Sequence, residues 1–359
     1  MRYMTGSLVA LTLAVAAGAC SDDDDAPAQP PRDEAPSSEP PTNPSSTPPP
    51  KPPTITMTLV GDIMLVRGVP DPAAALAPLR ERLRSADITV GNLESTLSLN
   101  GEPMQPNDDS FGGTPALLGP LRRAGFDALS LGNNHTGDYG STALVETVRA
   151  FDDSPIEPFG AGEGLREASR PAIIEVDGVR FAFVAFNAVG ETPRAVPGQP
   201  GALTVRMPPR TGPLVPADLD RVASVVRRAA RSADAVVVLP HWGEQYMHDP
   251  EPIQSRVARR LVAAGADLIV GGHPHWVQSA ERIQGVPVLH SLGNFIFDMD
   301  FSTETMEGVF LETTWRGDKL VGTELVPYRM DPVSFAPRRV RGAAAKAILS
   351  DVRIPGSGR

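Results

Sequence analysis

The chain has 359 residues, enough for one large domain or two small ones with a sizeable core. Its formal charge of −10 excludes a general nucleic-acid binder, and its 41% hydrophobic content is that of an ordinary globular protein. Cys20 is the single cysteine, which excludes an internal disulfide and a cysteine-built zinc site.

At the N-terminus, Arg2 precedes an apolar run from Leu8 to Ala19. The run is too short to cross a bilayer as a helix, which takes about 20 residues. It has the length of a signal-peptide core. Small residues (Ala17-Gly18-Ala19) lead into Cys20, and the chain turns polar at once with Ser21 and Asp22 to Asp25. This resembles a lipobox. Residues 1–20 are therefore expected to be a lipoprotein signal peptide with Cys20 lipidated, and the protein to be exported and anchored to the cell membrane or the outer membrane. A plain secretory signal with an incidental cysteine is the alternative. Residues 21–53, rich in Pro, Ser, Asp and Ala, bury too little apolar surface to offset the entropy of ordering and read as a disordered, extended linker.

From Thr54 the pattern changes. Thr54 to Val60 alternates threonine with apolar residues and reads as a strand, and Ala73 to Ser85 reads as a helix. A junction then recurs four times: a helix ends at small residues, an aspartate follows, and a short apolar run begins. The four aspartates are Asp87, Asp127, Asp234 and Asp267. Continuous apolar runs between helices indicate buried parallel strands. Ala172 to Val176 and Arg180 to Phe186 read as a hairpin. Glu281 to Leu289, Gly308 to Trp315 and Lys319 to Tyr328 read as antiparallel strands. Residues 190–215, rich in Pro and Gly, read as a long surface loop, either a lid or a plain insertion. The whole predicts a mixed α/β domain with two sheets over residues 54–335, followed by a tail at 336–359 with a weak helical patch.

The chemistry lies at the ends of the strands. The first ends in Gly61-Asp62, the second in Gly91-Asn92-Leu93-Glu94, and the third in Gly132-Asn133-Asn134-His135. The fourth ends in Pro240-His241-Trp242-Gly243-Glu244 and the fifth in Gly272-His273-Pro274-His275. Ligands of open α/β sheets bind beyond the carboxyl ends of the strands. Four of the six histidines fall in these segments, which chance placement would rarely produce. Carboxylate, amide and imidazole together suit a divalent transition metal such as Mn, Fe or Zn, mononuclear or dinuclear. Taken singly, each residue also has an ordinary structural reading: a turn for Asp62, a helix cap for Asn133-Asn134, a core imidazole for His241.

The segments LVGDIML, GNLES, LGNNHTGDYG, PHWGEQY, GGHPHWVQ and SLGNFIFD resemble the successive motifs of the CapA family of poly-γ-glutamate capsule synthesis proteins, over about Thr54 to Tyr328. That resemblance implies a metallophosphoesterase-like, four-layer α/β/β/α sandwich. It implies metal ligation by Asp62, Glu94, Asn134, His241, His273 and His275, with His135 as the catalytic acid or phosphate contact. Asn92, Asn133 and Glu244 are expected to contact substrate. Two departures from the phosphoesterase pattern, Met64 in place of a histidine and Asn92 with Glu94 in place of an aspartate, leave the number of metals open. The implied function is support of the synthesis, export or anchoring of an anionic capsule polymer, alongside polyglutamate synthesis or export proteins, with a phosphoesterase-type site. Two alternatives are a cell-envelope phosphoesterase unrelated to capsule and a binding lipoprotein without catalysis.

Overall fold

The computed structural model describes residues 51–352. The signal-like segment, Cys20, nearly all of the Pro-rich linker and residues 353–359 lie outside them. Among the described residues no helix is long and apolar enough to cross a membrane.

The chain opens with strand β1 (Thr54–Ile63), helices α1 (Pro72–Leu76) and α2 (Arg80–Ser85), β2 (Ile88–Leu93), α3 (Leu118–Ala124), β3 (Ala128–Ser130), α4 (Gly140–Arg149), and β4 (Glu157–Phe159). Next come β5 (Ala161–Gly162), α5 (Leu165–Ala168), the hairpin β6 (Ala172–Val176) and β7 (Val179–Asn187), and β8 (Gly201–Ala202). Then follow α6 (Pro216–Ala229), β9 (Ala235–His241), α7 (Pro252–Val262), β10 (Leu268–Val270), β11 (Ala280–Ile283) and β12 (Val286–Leu289). The last elements are β13 (Asn294–Ile296), β14 (Glu307–Arg316), β15 (Lys319–Met330), β16 (Pro337–Arg339) and α8 (Gly342–Asp351).

One sheet runs β16-β15-β14-β1-β2-β3-β4, with β13 paired to the end of β1; the other runs β11-β12-β10-β9-β7-β6. In the first sheet β1–β4 are parallel, and β14–β16 continue it antiparallel on one side; in the second, β7, β9, β10 and β12 are parallel, with the antiparallel strands β6 and β11 at the two edges. Three apolar clusters fill the spaces between four layers. Leu76, Leu83, Leu121 and Leu144 of α1–α4 pack on the first sheet. Met57, Leu59, Phe181, Phe183 and Val237 pack between the two sheets. Val222, Val226, Val257 and Leu261 of α6 and α7 pack on the second. The order is α/β/β/α, as the motifs implied. Strands buried on both faces are apolar without alternation, which is why β9 reads Ala-Val-Val-Val-Leu.

The four junction aspartates have one task. The Asp87 carboxylate accepts the Thr56 N–H at 2.8 Å, Asp127 that of Thr89 at 2.7 Å, Asp234 that of Arg180 at 2.8 Å and Asp267 that of Val236 at 2.8 Å. Each clamps the start of its own strand to the neighbouring strand. This sets the register of β1–β2, β2–β3, β7–β9 and β9–β10, and so levels the strand ends that build the site.

Four regions differ from the sequence reading. The expected helix Ala73–Ser85 is broken into α1, a 3₁₀ turn (Ala77–Leu79) and α2, because Pro78 lacks the N–H that a continuous helix needs. Residues 281–289 form the hairpin β11–β12, turning at Gln284 and Gly285, both at positive φ. The 190–215 segment is a surface loop only in part. Leu203, Val205 and Met207 are buried beside the second sheet, and β8 pairs with β5; their alternation with Thr204 and Arg206 is a strand-like pattern that the Pro and Gly content obscures. Residues 336–352 are part of the fold rather than a tail: β16 extends the first sheet, and Ile348 of α8 is buried.

Candidate metal centre

The parallel strands deliver their ends to one edge. Asp62 lies in β1 next to its end, Asn92 and Glu94 lie at and beyond the end of β2, and Asn133, Asn134 and His135 follow β3. His241 ends β9, His273 and His275 follow β10, and Asn294 of β13 pairs directly with Asp62. The backbone after β10 passes very close to β1. A Cβ on Gly272 would lie 2.4 Å from an Asp62 carboxylate oxygen, so only glycine fits. His273 and His275 have φ of 97° and 59°, a left-handed conformation that costs energy for non-glycine residues and concentrates at functional sites.

At the centre, donor atoms of Asp62, Glu94 and His241 lie within 4.8 Å of one another, and all three residues are buried. The Asn92 amide donates to Asp62 at 2.9 Å and to Glu94 at 3.0 Å. The His241 Nε2 lies 2.8 Å from the Asn134 side-chain oxygen. The His273 N–H donates to Asp62 at 2.9 Å, while both of its ring nitrogens are buried without a partner, as is one Glu94 oxygen. His275 sets its Nδ1 2.8 Å from the Asn294 oxygen. Among the described residues, Asp62 and Glu94 pair with no Lys or Arg.

The electrostatics are those of a cation site. Burial pushes the Glu94 carboxyl well above the usual carboxylate range, and the neighbouring Asp62 charge adds to this. Burial likewise holds the His241 and His273 imidazoles well below their ordinary value, and lowers His275. Neutral imidazoles with free lone pairs and carboxylates without a basic partner are what a divalent cation needs. The unpartnered His273 nitrogens and Glu94 oxygen fit such an ion. Asp62, Glu94 and His241 are the group that could hold it together, and Asn134, His273 and His275, the other expected ligands, stand beside them.

His135 sits beside this group with a different set of contacts. Its Nδ1 lies 2.8 Å from Asp138, its ring stacks on Phe111 at 3.9 Å, and its Nε2 accepts from the Asn134 amide at 3.0 Å, with Glu94 3.9 Å away. Asp138 also accepts the Phe111 N–H at 2.7 Å. The sequence reading missed Asp138 and Asn294. Both lie in the family-like motifs, and the three-residue spacing from His135 to Asp138 was the available signal.

The three expected substrate contacts divide. Asn92 lies within the site. Asn133 is fully buried and frames it: its amide donates to Asn92 and to the Leu93 carbonyl, and its oxygen accepts from the His135 N–H and Thr136. Glu244, three residues beyond His241, is partly exposed and lies 3.5 Å from Arg210. Met64 is buried in the helix-side core, so it offers the cleft nothing.

Residues 56–299, which contain every site residue above, match the family described as bacterial capsule synthesis protein PGA_cap. The chain belongs to that family. It is 31% identical to the capsule biosynthesis protein CapA of Bacillus anthracis over 293 residues, covering 79% of this chain and 69% of that one. It is 28% identical to the PGA biosynthesis protein CapA of Bacillus subtilis, covering 83% and 77%. A Mycobacterium tuberculosis relative assigned as a polyglutamine synthesis accessory protein is 26% identical. Solved structures with some likeness include a hypothetical protein from Thermus thermophilus, with 17% identity and a TM-score of 0.48 over 77% of this chain and 99% of that one. Another, from Staphylococcus aureus and assigned as a 5'-nucleotidase, has 16% identity and a TM-score of 0.46 over 83% and 57%.

Proposed function

We propose that this PGA_cap protein is exported, is anchored to a membrane through Cys20, and acts in the assembly of an anionic capsule polymer of the polyglutamate type. Its cleft holds one or two divalent transition-metal ions and cleaves a phosphoester. The observation that carries the reading is the set of buried, partnerless donors, two on His273 and one on Glu94, converging from separate strands. Evolution seldom leaves such atoms unsatisfied without a ligand.

Once bound, a metal ion would supply Lewis-acid polarisation of a phosphoryl oxygen and an activated water. The remaining steps belong to the chain. Asp138 holds the Nδ1 side of His135, and the Phe111 ring fixes the imidazole plane, so Nε2 is aimed into the cleft. The Asn134 amide donates to Nε2 at 3.0 Å; as water attacks phosphorus, an Nε2 freed from that contact and protonated would pass its proton to the leaving oxygen as the P–O bond breaks. Such a positioned acid contributes about 10²–10⁴ in rate. Asn294 orients His275, and Asn92 with Asn133 holds the carboxylates in place.

The test is hydrolysis of bis(p-nitrophenyl) phosphate after reconstitution with Mn²⁺ or Zn²⁺. Metal-dependent turnover abolished by His273→Ala supports the reading. Metal uptake without turnover on any phosphoester would leave a binding protein instead. The anchor is tested separately by Cys20→Ser, which should release the protein from membranes; full retention would end that part of the proposal.

A further inference from the structure

The chain is acidic, yet two arginines, Arg67 and Arg210, stand against residues next to the site. Arg67 lies on the loop after β1 at φ 56° and pairs with Asp298, its guanidinium 4.4 Å above the Phe111 ring. Arg210 comes from the other side, on the 190–215 segment. That segment is tied down by buried Met207, whose N–H donates to Thr211 at 2.8 Å, while the Thr211 hydroxyl lies 3.3 Å from the Ala188 carbonyl oxygen. Arg210 is therefore displayed from a fixed turn rather than a loose loop.

The two guanidiniums are held very differently. Arg67 makes direct hydrogen bonds to both Asp298 oxygens and is committed to them. Arg210 reaches Glu244 at 3.5 Å and Glu191 at 3.9 Å, longer than charge-assisted hydrogen bonds, and it is about a third exposed. Geometry places Arg210 beside the site: its partner Glu244 follows His241 by three residues, and Thr192, next to its partner Glu191, accepts the N–H of Gly137, two residues from His135, at 2.9 Å. Tyr246, two residues beyond Glu244, stacks its ring on His275. Tyr246 itself has φ 61°, a strained conformation for a bulky residue.

We propose that Arg210 is the residue that recognises substrate: it releases its two long carboxylate contacts to bind, bidentately, an oxyanion that the substrate carries beyond the group at the metal. Glu191 and Glu244 are positioning residues that hold the guanidinium toward the opening until the anion arrives. The planar fork of arginine matches carboxylate and phosphate alike, so the shared chemistry is a second oxyanion on a polyanionic substrate. This deepens the reading of the cleft as the substrate site and rests on it, but needs no turnover.

Binding of two probes, a γ-linked glutamate pentamer and inorganic pyrophosphate, is measured by calorimetry on the metal-reconstituted protein. Parent, Arg210→Ala, Arg210→Lys and Arg228→Ala are compared, the last removing an exposed α6 charge as a control. Metal content and melting temperature are read on the same samples. Arg210→Ala should weaken the preferred probe about ten- to a hundredfold, the worth of a charged hydrogen bond, with metal content and melting temperature unchanged. Arg210→Lys should recover part of the loss, and Arg228→Ala should bind as the parent does. Stronger binding of the pentamer assigns the subsite to carboxylates, and of pyrophosphate to phosphates. A parent that binds neither anion, or an Arg210→Ala protein that binds as the parent does, overturns the proposal. A parent that takes up no metal at saturating concentration, yet binds an anion and loses that binding on Arg210→Ala, upholds it while removing the phosphoesterase reading.

Discussion

Glu94→Gln should make the metal-free protein more stable and the metal-supplemented protein less responsive. Glu94 is fully buried within reach of Asp62, also fully buried, and neither has a basic partner among the described residues. Its one firm contact is the Asn92 amide at 3.0 Å, which a glutamine oxygen accepts equally well. The glutamine amide then stands where a protonated carboxyl would donate to Asp62. Removing the charge relieves a buried-carboxylate cost on the order of 1–3 kcal/mol. For a domain of this size about 1 kcal/mol shifts the melting temperature by about 2–4 °C. The parent should gain about 2.7 kcal/mol from Mn²⁺ or Zn²⁺ at a hundred times its dissociation constant, and the variant little of it. The assay is thermal unfolding in EDTA and in excess metal. A variant that melts below the parent in EDTA, or that gains as much from metal as the parent does, refutes the reasoning.

Other outcomes rest on the same geometry. His135→Ala should keep its metal and lose about 10²–10⁴ in turnover, whereas a variant that loses metal would make His135 a ligand. Asp127→Ala should cost about 1–2 kcal/mol in urea unfolding by stripping the Thr89 N–H of its acceptor, and Asp127→Asn should restore most of it; equal loss in both would mean the clamp is not a hydrogen bond. His241 and His273 have folded pKa values well below 6.5, so the unfolded chain binds more protons below that pH and stability falls as the solution is acidified. The loss is at most about 1.4 kcal/mol per pH unit for each imidazole. Glu94, with a raised folded pKa, works in the opposite direction, so metal-free Glu94→Gln should lose stability more steeply than the parent between pH 6.5 and 5. Parallel slopes in denaturant titrations would contradict that assignment.

The parallel strands and their end residues were legible because burial on both faces demands apolar runs, which Asn92, Asn134, His241 and His273 follow, and because Asp62 follows the alternating run Thr54 to Val60. What the runs could not reveal depends on pairing across long sequence distances. Asn294 enters the site only because a three-residue strand, β13, pairs in parallel with β1. Asp138 reads as a turn residue until His135 is seen to lean on it. Arg210 lay in a segment whose proline and glycine content hid the alternation of Leu203, Val205 and Met207, the residues that fasten it. The broken helix at Pro78 is readable from proline chemistry alone.

The central claim is that the converging donors form a metal site, and elemental analysis tests it most directly. Purified protein is stripped with chelator, incubated with Mn²⁺ or Zn²⁺, desalted and measured beside His273→Ala. One or two ions per parent chain, falling by at least one ion in the variant, is the predicted result. A parent that retains no ion at saturating metal, or a variant that retains as many as the parent, would contradict it.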